Sequence, residues 1–163
     1  MFKQILFLLI FVIMKIDEEI KQSKFENSLQ KAIINLFFTS NFIRDKILNI
    51  LKDYDIQQQH YNVLRIIKGQ HPNPISPGYI KEVMIDKGVD LTRLLDKLDK
   101  KGLIKRQLCQ KNRRKIDINL TKEGIDLLNE LKPKFNNLYE QLSKKINEDE
   151  AELLSNLLDK LRG

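Results

Sequence analysis

Apolar residues in this chain recur mainly at intervals of three and four, the spacing that gathers them on one face of an α-helix. Between residues 23 and 51 the positions Leu29, Ile33, Leu36, Phe37, Ser40, Ile43, Ile47 and Leu51 keep that spacing and predict one long amphipathic helix. Asp53-Tyr-Asp55 breaks it. A shorter helix over 57–68 carries Tyr61, Leu64 and Ile67, and Gly69 with the proline-flanked loop 70–74 is expected to end it. Much further on, Ile125, Leu128, Leu131, Phe135, Leu138, Leu142 and Ile146 mark a second long helix that Thr121 can cap. Pro133 lies inside it, so a bend is expected near 129–132, where proline costs one backbone hydrogen bond. The last helix begins at Asn147, sets Glu148, Asp149 and Glu150 against the positive end of its dipole, and presents Leu153, Leu154, Leu157, Leu158 and Leu161 as an apolar stripe.

Residues 75–121 follow a different rhythm. Ser76 can cap a helix whose first position suits Pro77, and Ile80, Val83 and Met84 give it an apolar repeat. Gly88 supplies a turn, Asp90 can cap the next helix, and Leu91, Leu94, Leu95 and Leu98 form its buried stripe. Gly102 ends that helix, with Leu103 placed to meet Leu98 as in a Schellman motif. The opposite face, Thr92, Arg93, Asp96 and Lys97, is left polar. Two strands are expected over 103–109 and 115–120, the second alternating Ile116, Ile118 and Leu120 with Asp117 and Asn119, around the basic tip Gln110-Lys-Asn-Arg-Arg114. Helix, helix, hairpin with a basic tip is the order of a winged helix-turn-helix. The predicted fold class is therefore mostly α with a small two- to three-stranded β wing, flanked by long N- and C-terminal helices suited to dimerisation.

Charge localises the function further. The 163 residues carry a net charge of +7. Residues 79–115 hold 12 of the 29 basic and 5 of the 22 acidic residues, so the remaining 17 of each sign cancel and the whole excess sits on this one module. A cationic patch so confined is the electrostatic footprint of nucleic-acid binding, because each lysine or arginine that meets a phosphate releases condensed counterions.

Here the sequence resembles the MarR family of bacterial transcription regulators. The resemblance rests on Tyr61-Asn-Val-Leu-Arg65, on Leu91-Thr-Arg-Leu-Leu-Asp-Lys-Leu-Asp-Lys-Lys-Gly-Leu-Ile-Lys-Arg106, on the wing Asn112-Arg-Arg114 and on Leu120-Thr-Lys-Glu-Gly124, and it extends from about residue 18 to the C-terminus. It implies a homodimeric repressor that binds a palindromic operator in double-stranded DNA and lets go when a small-molecule effector binds, although no motif identifies such a ligand. The family usually has aspartate where this chain has Asn112, so a carboxylate brace for the wing arginine is replaced by an amide. The expected DNA-binding residues are Ser76, Val89, Asp90, Thr92, Arg93, Lys97, Lys111, Asn112, Arg113 and Arg114, with Thr92 and Arg93 nearest the base edges and Arg114 in a minor groove. The alternative is a basic winged module for non-specific nucleoid packaging or protein contacts, with no operator and no effector.

Composition bounds the rest. At 42% apolar and 31% charged residues, the chain reads as one soluble, helix-rich domain. It contains no phosphate-cradling glycine-rich loop, no Cys/His cluster with metal spacing and no nucleophile set beside a base; no enzyme, metal or cofactor is expected. His60 and His71 are the only imidazoles, and His60, Tyr54 and Arg65 read as surface or half-buried side chains rather than ligand contacts. Cys109 excludes an internal disulfide, suits a reducing cytoplasm and reads as a small apolar strand residue rather than a redox sensor. The apolar run 5–14 after Lys3 resembles the front of a signal peptide, but no small-residue cleavage site follows and a bilayer span needs about 20 residues. Residues 1–13 are expected to be an upstream extension before a start at Met14, with a membrane-tethered form as the alternative. The expected organisation is then 14–53 as a dimerisation helix, 54–121 as the DNA-binding module and 122–163 as dimerisation helices.

Overall fold

The computed structural model describes residues 14–109 and 112–163, with the backbone alone at 112–114. In chain order the elements are α1 (Ile16–Glu19), α2 (Ser28–Leu51), a 3-10 turn (Lys52–Tyr54), α3 (Gln58–Gln70), α4 (Pro77–Val83), α5 (Leu91–Lys100), β1 (Ile104–Cys109), β2 (Asn112–Leu120), α6 (Lys122–Ser143) and α7 (Glu148–Arg162). Contacts divide the chain into a unit ending at Ile43 and a unit Arg44–Gly163. Among the described residues no helix is long and apolar enough to cross a membrane, and the proposed extension 1–13 lies outside those residues.

In the first unit, the long helix starts at Ser28 rather than at 23. Asn27 decides this: its Oδ1 accepts the Gln30 N–H at 2.8 Å, satisfying a donor that the helix itself cannot. Short α1, which the apolar spacing does not predict, is tied down by Lys31 Nζ, 3.0 Å from Asp17 Oδ1. Along α2 the apolar side chains Leu29 and Phe37 stand open, Phe37 with 65% of its surface exposed.

The second unit has one continuous core. Val63, Leu64 and Ile67 of α3 lie against Ile80 and Met84 around α4, Leu94, Leu95 and Leu98 of α5, Ile104, Ile118 and Leu120 of the sheet, and Leu128, Leu131 and Phe135 of α6. Each such side chain contributes on the order of 1.5 to 3 kcal/mol when fully buried. Tyr61 stacks on Phe135 with ring centroids 4.2 Å apart and planes 3° from parallel, fastening α3 to α6.

β1 and β2 pair antiparallel, Ile104 opposite Leu120, Arg106 opposite Ile118 and Leu108 opposite Ile116. Beside this two-stranded sheet, Ile75 forms an isolated antiparallel bridge to Ile118, exchanging backbone hydrogen bonds at 3.1 and 2.9 Å. α6 begins where Thr121 Oγ1 accepts the Gly124 N–H at 3.0 Å, and it continues through Pro133 to Ser143. At α7, Asn147 Oδ1 accepts from Glu150 N and Glu150 Oε2 accepts from Asn147 N, both at 2.9 Å, a reciprocal capping box.

Several sequence expectations are corrected here. Gly69 does not end α3, which runs to Gln70; the stop comes at His71, whose backbone is extended because the residue before a proline disfavours the helical region. Val83 is not part of a buried stripe, since α4 turns Ile80 and Met84 inward and leaves Val83 open. Ile116 is exposed as well, because the hairpin beyond the Arg106–Ile118 pair outruns the core that would cover it. β2 starts at Asn112 rather than 115, so Asn112, Arg113 and Arg114 are strand backbone and not an open tip. His60 is buried, with 3% of its surface exposed. Finally, Leu153, Leu154, Leu157 and Leu161 form the stripe expected on α7, but this chain does not bury them.

Candidate nucleic-acid interface

The polar face of α5 is set up by a chain of local contacts. Ser76 Oγ accepts the Tyr79 N–H at 3.2 Å and starts α4. In the turn that follows, Asp86 Oδ1 accepts the Gly88 N–H at 3.1 Å and Asn62 Oδ1 accepts the Ile85 N–H at 3.2 Å. Lys81 Nζ reaches back from α4 to donate to the carbonyls of Lys87 and, at 2.9 Å, Val89. This ammonium sets positive charge in the turn between these two carbonyls, and it fixes the backbone immediately before Asp90. Asp90 Oδ1 then accepts the Arg93 N–H at 3.3 Å and begins α5.

Leu94, Leu95 and Leu98 bury one face of α5, which leaves Thr92, Arg93, Asp96 and Lys100 outward. Arg93 is 88% exposed along its side chain, with Nε 3.3 Å from Asp90 Oδ2. The helix closes in a Schellman motif: Leu103 N donates to Leu98 O at 3.0 Å, Gly102 N to Asp99 O at 2.8 Å, and Gly102 takes φ 67°, where a Cβ would be strained.

Ion pairs grip both flanks of this helix. On one, Arg106 of β1 sets Nη2 2.8 Å from Asp96 Oδ1 and Nε 3.8 Å from Asp99 Oδ2. The Nε is buried and makes no hydrogen bond, so the guanidinium is held by charge more than by full satisfaction of its donors. On the other, Asp55 lies 3.2 Å from Lys97 Nζ and 2.9 Å from Lys101 Nζ, and these two lysines, Lys101 first, hold its carboxyl below the usual carboxylate range. Behind α5, His60 Nδ1 accepts the Gln57 N–H at 3.1 Å; burial first, then the charge of Lys97, pushes its pKa below that of a free imidazole.

Of the residues expected to form the site, Val89, Asp90, Thr92, Arg93 and Lys97 are brought together around the first turns of α5, and Ser76 heads α4. Asn112, Arg113 and Arg114 open β2, with Asn112 paired to Cys109. Lys111 lies outside the described residues. Asp55, Lys81 and Arg106 were not in the expected set. Arg106 had a readable signal, since Asp96 and Asp99 leave two carboxylates on a helix that the next strand must pass; Asp55 and Lys81 had none, because folding alone brings them to their partners.

Two helices joined by a tight turn and followed by a two-stranded hairpin define a winged helix-turn-helix. Solved structures narrow the class. The MarR transcription factor from Planctomyces limnophilus is 28% identical, with a TM-score of 0.64 over 83% of this chain and 98% of its own. A cysteine-to-serine mutant of MarR from E. coli, complexed with operator DNA, is 29% identical, with a TM-score of 0.66 over 78% of this chain and 91% of its own. MepR from S. aureus in its DNA-binding conformation, 23% identical, shares the fold with a TM-score of 0.66 over 77% of this chain and 92% of its own. No protein-family model matches the chain. The chain thus has a MarR-like winged helix-turn-helix fold and is similar to both MarR chains over nearly their full length.

Proposed function

We propose that this chain is a sequence-specific DNA-binding transcription regulator that works as a homodimer. The observation that carries the reading is the exposed polar face of α5, rigidly capped at Asp90 and closed at Gly102, within the module that holds the entire excess of positive charge. In each subunit α5 enters a major groove, with Thr92 and Arg93 at base edges, and the start of β2 brings Arg113 and Arg114 to the neighbouring minor groove. Ser76, Val89, Asp90, Lys97, Lys111 and Asn112 border the backbone contacts. The likeness to a MarR chain bound to operator DNA supports this placement.

Dimerisation follows from apolar surface that the chain leaves uncovered. Four leucines of α7 are half exposed or more, and α2 separately exposes Leu29 and Phe37. A second copy that buried the α7 leucines would remove a patch that soluble monomers rarely keep. Residues 14–53 and 122–163 are accordingly the dimerisation segments and 54–121 the DNA-binding module. The protein is a cytoplasmic repressor rather than an enzyme, released by a small-molecule effector; an open cleft lined by Asn49, Ile50, Asp53, Pro133, Lys134 and Asn137 presents such a ligand with an ammonium, a carboxylate and two amides.

Selection of bound duplexes from random DNA tests the reading. One inverted repeat should emerge, with half-site centres about one helical turn, roughly 10 bp, apart. Failure to enrich any sequence would favour the non-specific packaging alternative and overturn the proposal.

A further inference from the structure

Asp55 stands alone between elements, just past the 3-10 turn, with φ 49° and ψ 40°. That left-handed backbone turns its side chain onto α5, where Oδ2 lies 2.9 Å from Lys101 Nζ and Oδ1 3.2 Å from Lys97 Nζ. Lys101 also donates to the Tyr54 carbonyl at 3.4 Å. The two lysines are one helical turn apart and continue the stripe that Arg93 begins. The carboxylate itself is 77% exposed and, held by both ammonium groups, remains an anion throughout the neutral range. One anion with two oxygens, each on a lysine, has the same charge pattern that a DNA phosphate would present to those lysines.

Two roles compete for this contact. As a brace it adds little, because exposed ion pairs are weak and Leu94, Leu95 and Leu98 already fix α5 by burial. As a competitor it matters more, since a lysine already neutralised within the protein has less to gain from a phosphate and releases fewer counterions on binding. We infer that Asp55 is an internal phosphate mimic that withholds Lys97 and Lys101 from the DNA backbone and so lowers the sequence-independent affinity of α5. The inference rests on the DNA-binding reading above. It also explains the residue type: aspartate and asparagine tolerate the left-handed region better than most side chains, and only aspartate carries the charge.

The test uses the full chain, a random-sequence duplex and a salt series, with binding followed by fluorescence anisotropy. Asp55→Asn keeps the backbone preference and removes the anion, and Asp55→Gly, at home at positive φ, checks that the effect is not one of folding. Both should tighten binding about 5- to 10-fold per released lysine at 0.1 M salt and steepen the slope of log K against log salt by about 0.9 per lysine. The gain should vanish when Lys97 and Lys101 are both replaced by glutamine, as a double-mutant cycle requires. Weaker binding, an unchanged slope, or a gain that survives loss of both lysines overturns the inference. If the unaltered chain binds DNA and only the Asp55 effect is absent, this inference alone falls; if the unaltered chain binds no DNA at all, the functional reading falls with it.

Discussion

Gly124 passes so close to Leu103 that a Cβ built on it would stand 2.1 Å from the Leu103 carbonyl oxygen. The same carbonyl accepts the Thr121 N–H at 3.2 Å, and Thr121 Oγ1 donates to Gly102 O at 2.6 Å while accepting from Gly124. The end of α5, the base of the sheet and the start of α6 are thus locked at one point. This is the physical content of the Leu-Thr-x-x-Gly stretch: threonine is a cap with a second partner, and glycine is the only residue that fits against backbone.

Gly124→Ala should therefore destabilise the protein strongly, on the order of 3 kcal/mol, because the neighbour that must move is main chain and not a flexible side chain. Thr121→Ala should cost about 1 to 2 kcal/mol and Thr121→Ser much less. Urea midpoints at one fixed protein concentration check both, since a dimer's midpoint moves with concentration. A Gly124→Ala protein as stable as the original would mean that the close approach is not there.

Stability should also fall in mild acid through His60. Its folded pKa is depressed, by burial first and by Lys97 second, so the unfolded chain takes up the proton before the folded one. The stabilisation is complete above the unfolded value of 6.5 and is lost as pH falls through the lower folded value. Thermal unfolding between pH 7.5 and 5 should show this decline, and His60→Gln should flatten it over that range. An equal slope in both proteins would assign the decline to other groups.

The parts of the fold that were readable in advance are those decided within four residues. Ser76, Asp90, Thr121 and Asn147 each cap the helix that follows through a contact three residues ahead, and Gly102 with Leu103 closes α5 in the same local way. What was not readable depends on distant chain. Val83 and Ile116 belong to correct apolar repeats but meet no covering element, and His60 is buried although its position in α3 does not announce it. In the candidate site, the outward residues Thr92 and Arg93 followed from the leucine stripe, and Asp96 and Asp99 were a signal for Arg106, whereas the contacts of Asp55 with Lys97 and of Lys81 with the turn before α5 are ones that no spacing rule encodes.

The recognition helix and the wing should fail in different ways. Thr92→Ala should cost roughly 1 to 3 kcal/mol at one preferred base and little elsewhere, because base contacts specify. Arg114→Ala should weaken binding to all sequences and reduce the salt slope by about one counterion. Asn112→Asp sets a charge-assisted brace for a neighbouring arginine against repulsion from phosphates; the brace should win, so specific affinity is kept or modestly raised, while Asn112→Ala lowers it. Anisotropy titrations on the selected site and its single-base variants measure all four. If Arg114→Ala changes nothing and Asn112→Asp weakens every DNA equally, the start of β2 is not in the groove.

Deleting residues 147–163 removes the exposed leucines of α7. Light scattering at micromolar concentration should then report a monomer, and for the full chain a dimer, with loss of tight binding to the inverted repeat on truncation. A truncated chain that stays dimeric would give α7 another role.

Competition binding tests the regulator reading most directly. A labelled selected site is challenged with unlabelled copies of itself and with bulk random DNA at physiological salt. A sequence-specific regulator should prefer its own site by about 10³-fold or more. A ratio near one, with both DNAs displaced by salt alone, would contradict it and leave a basic winged protein that binds DNA only as a polyanion.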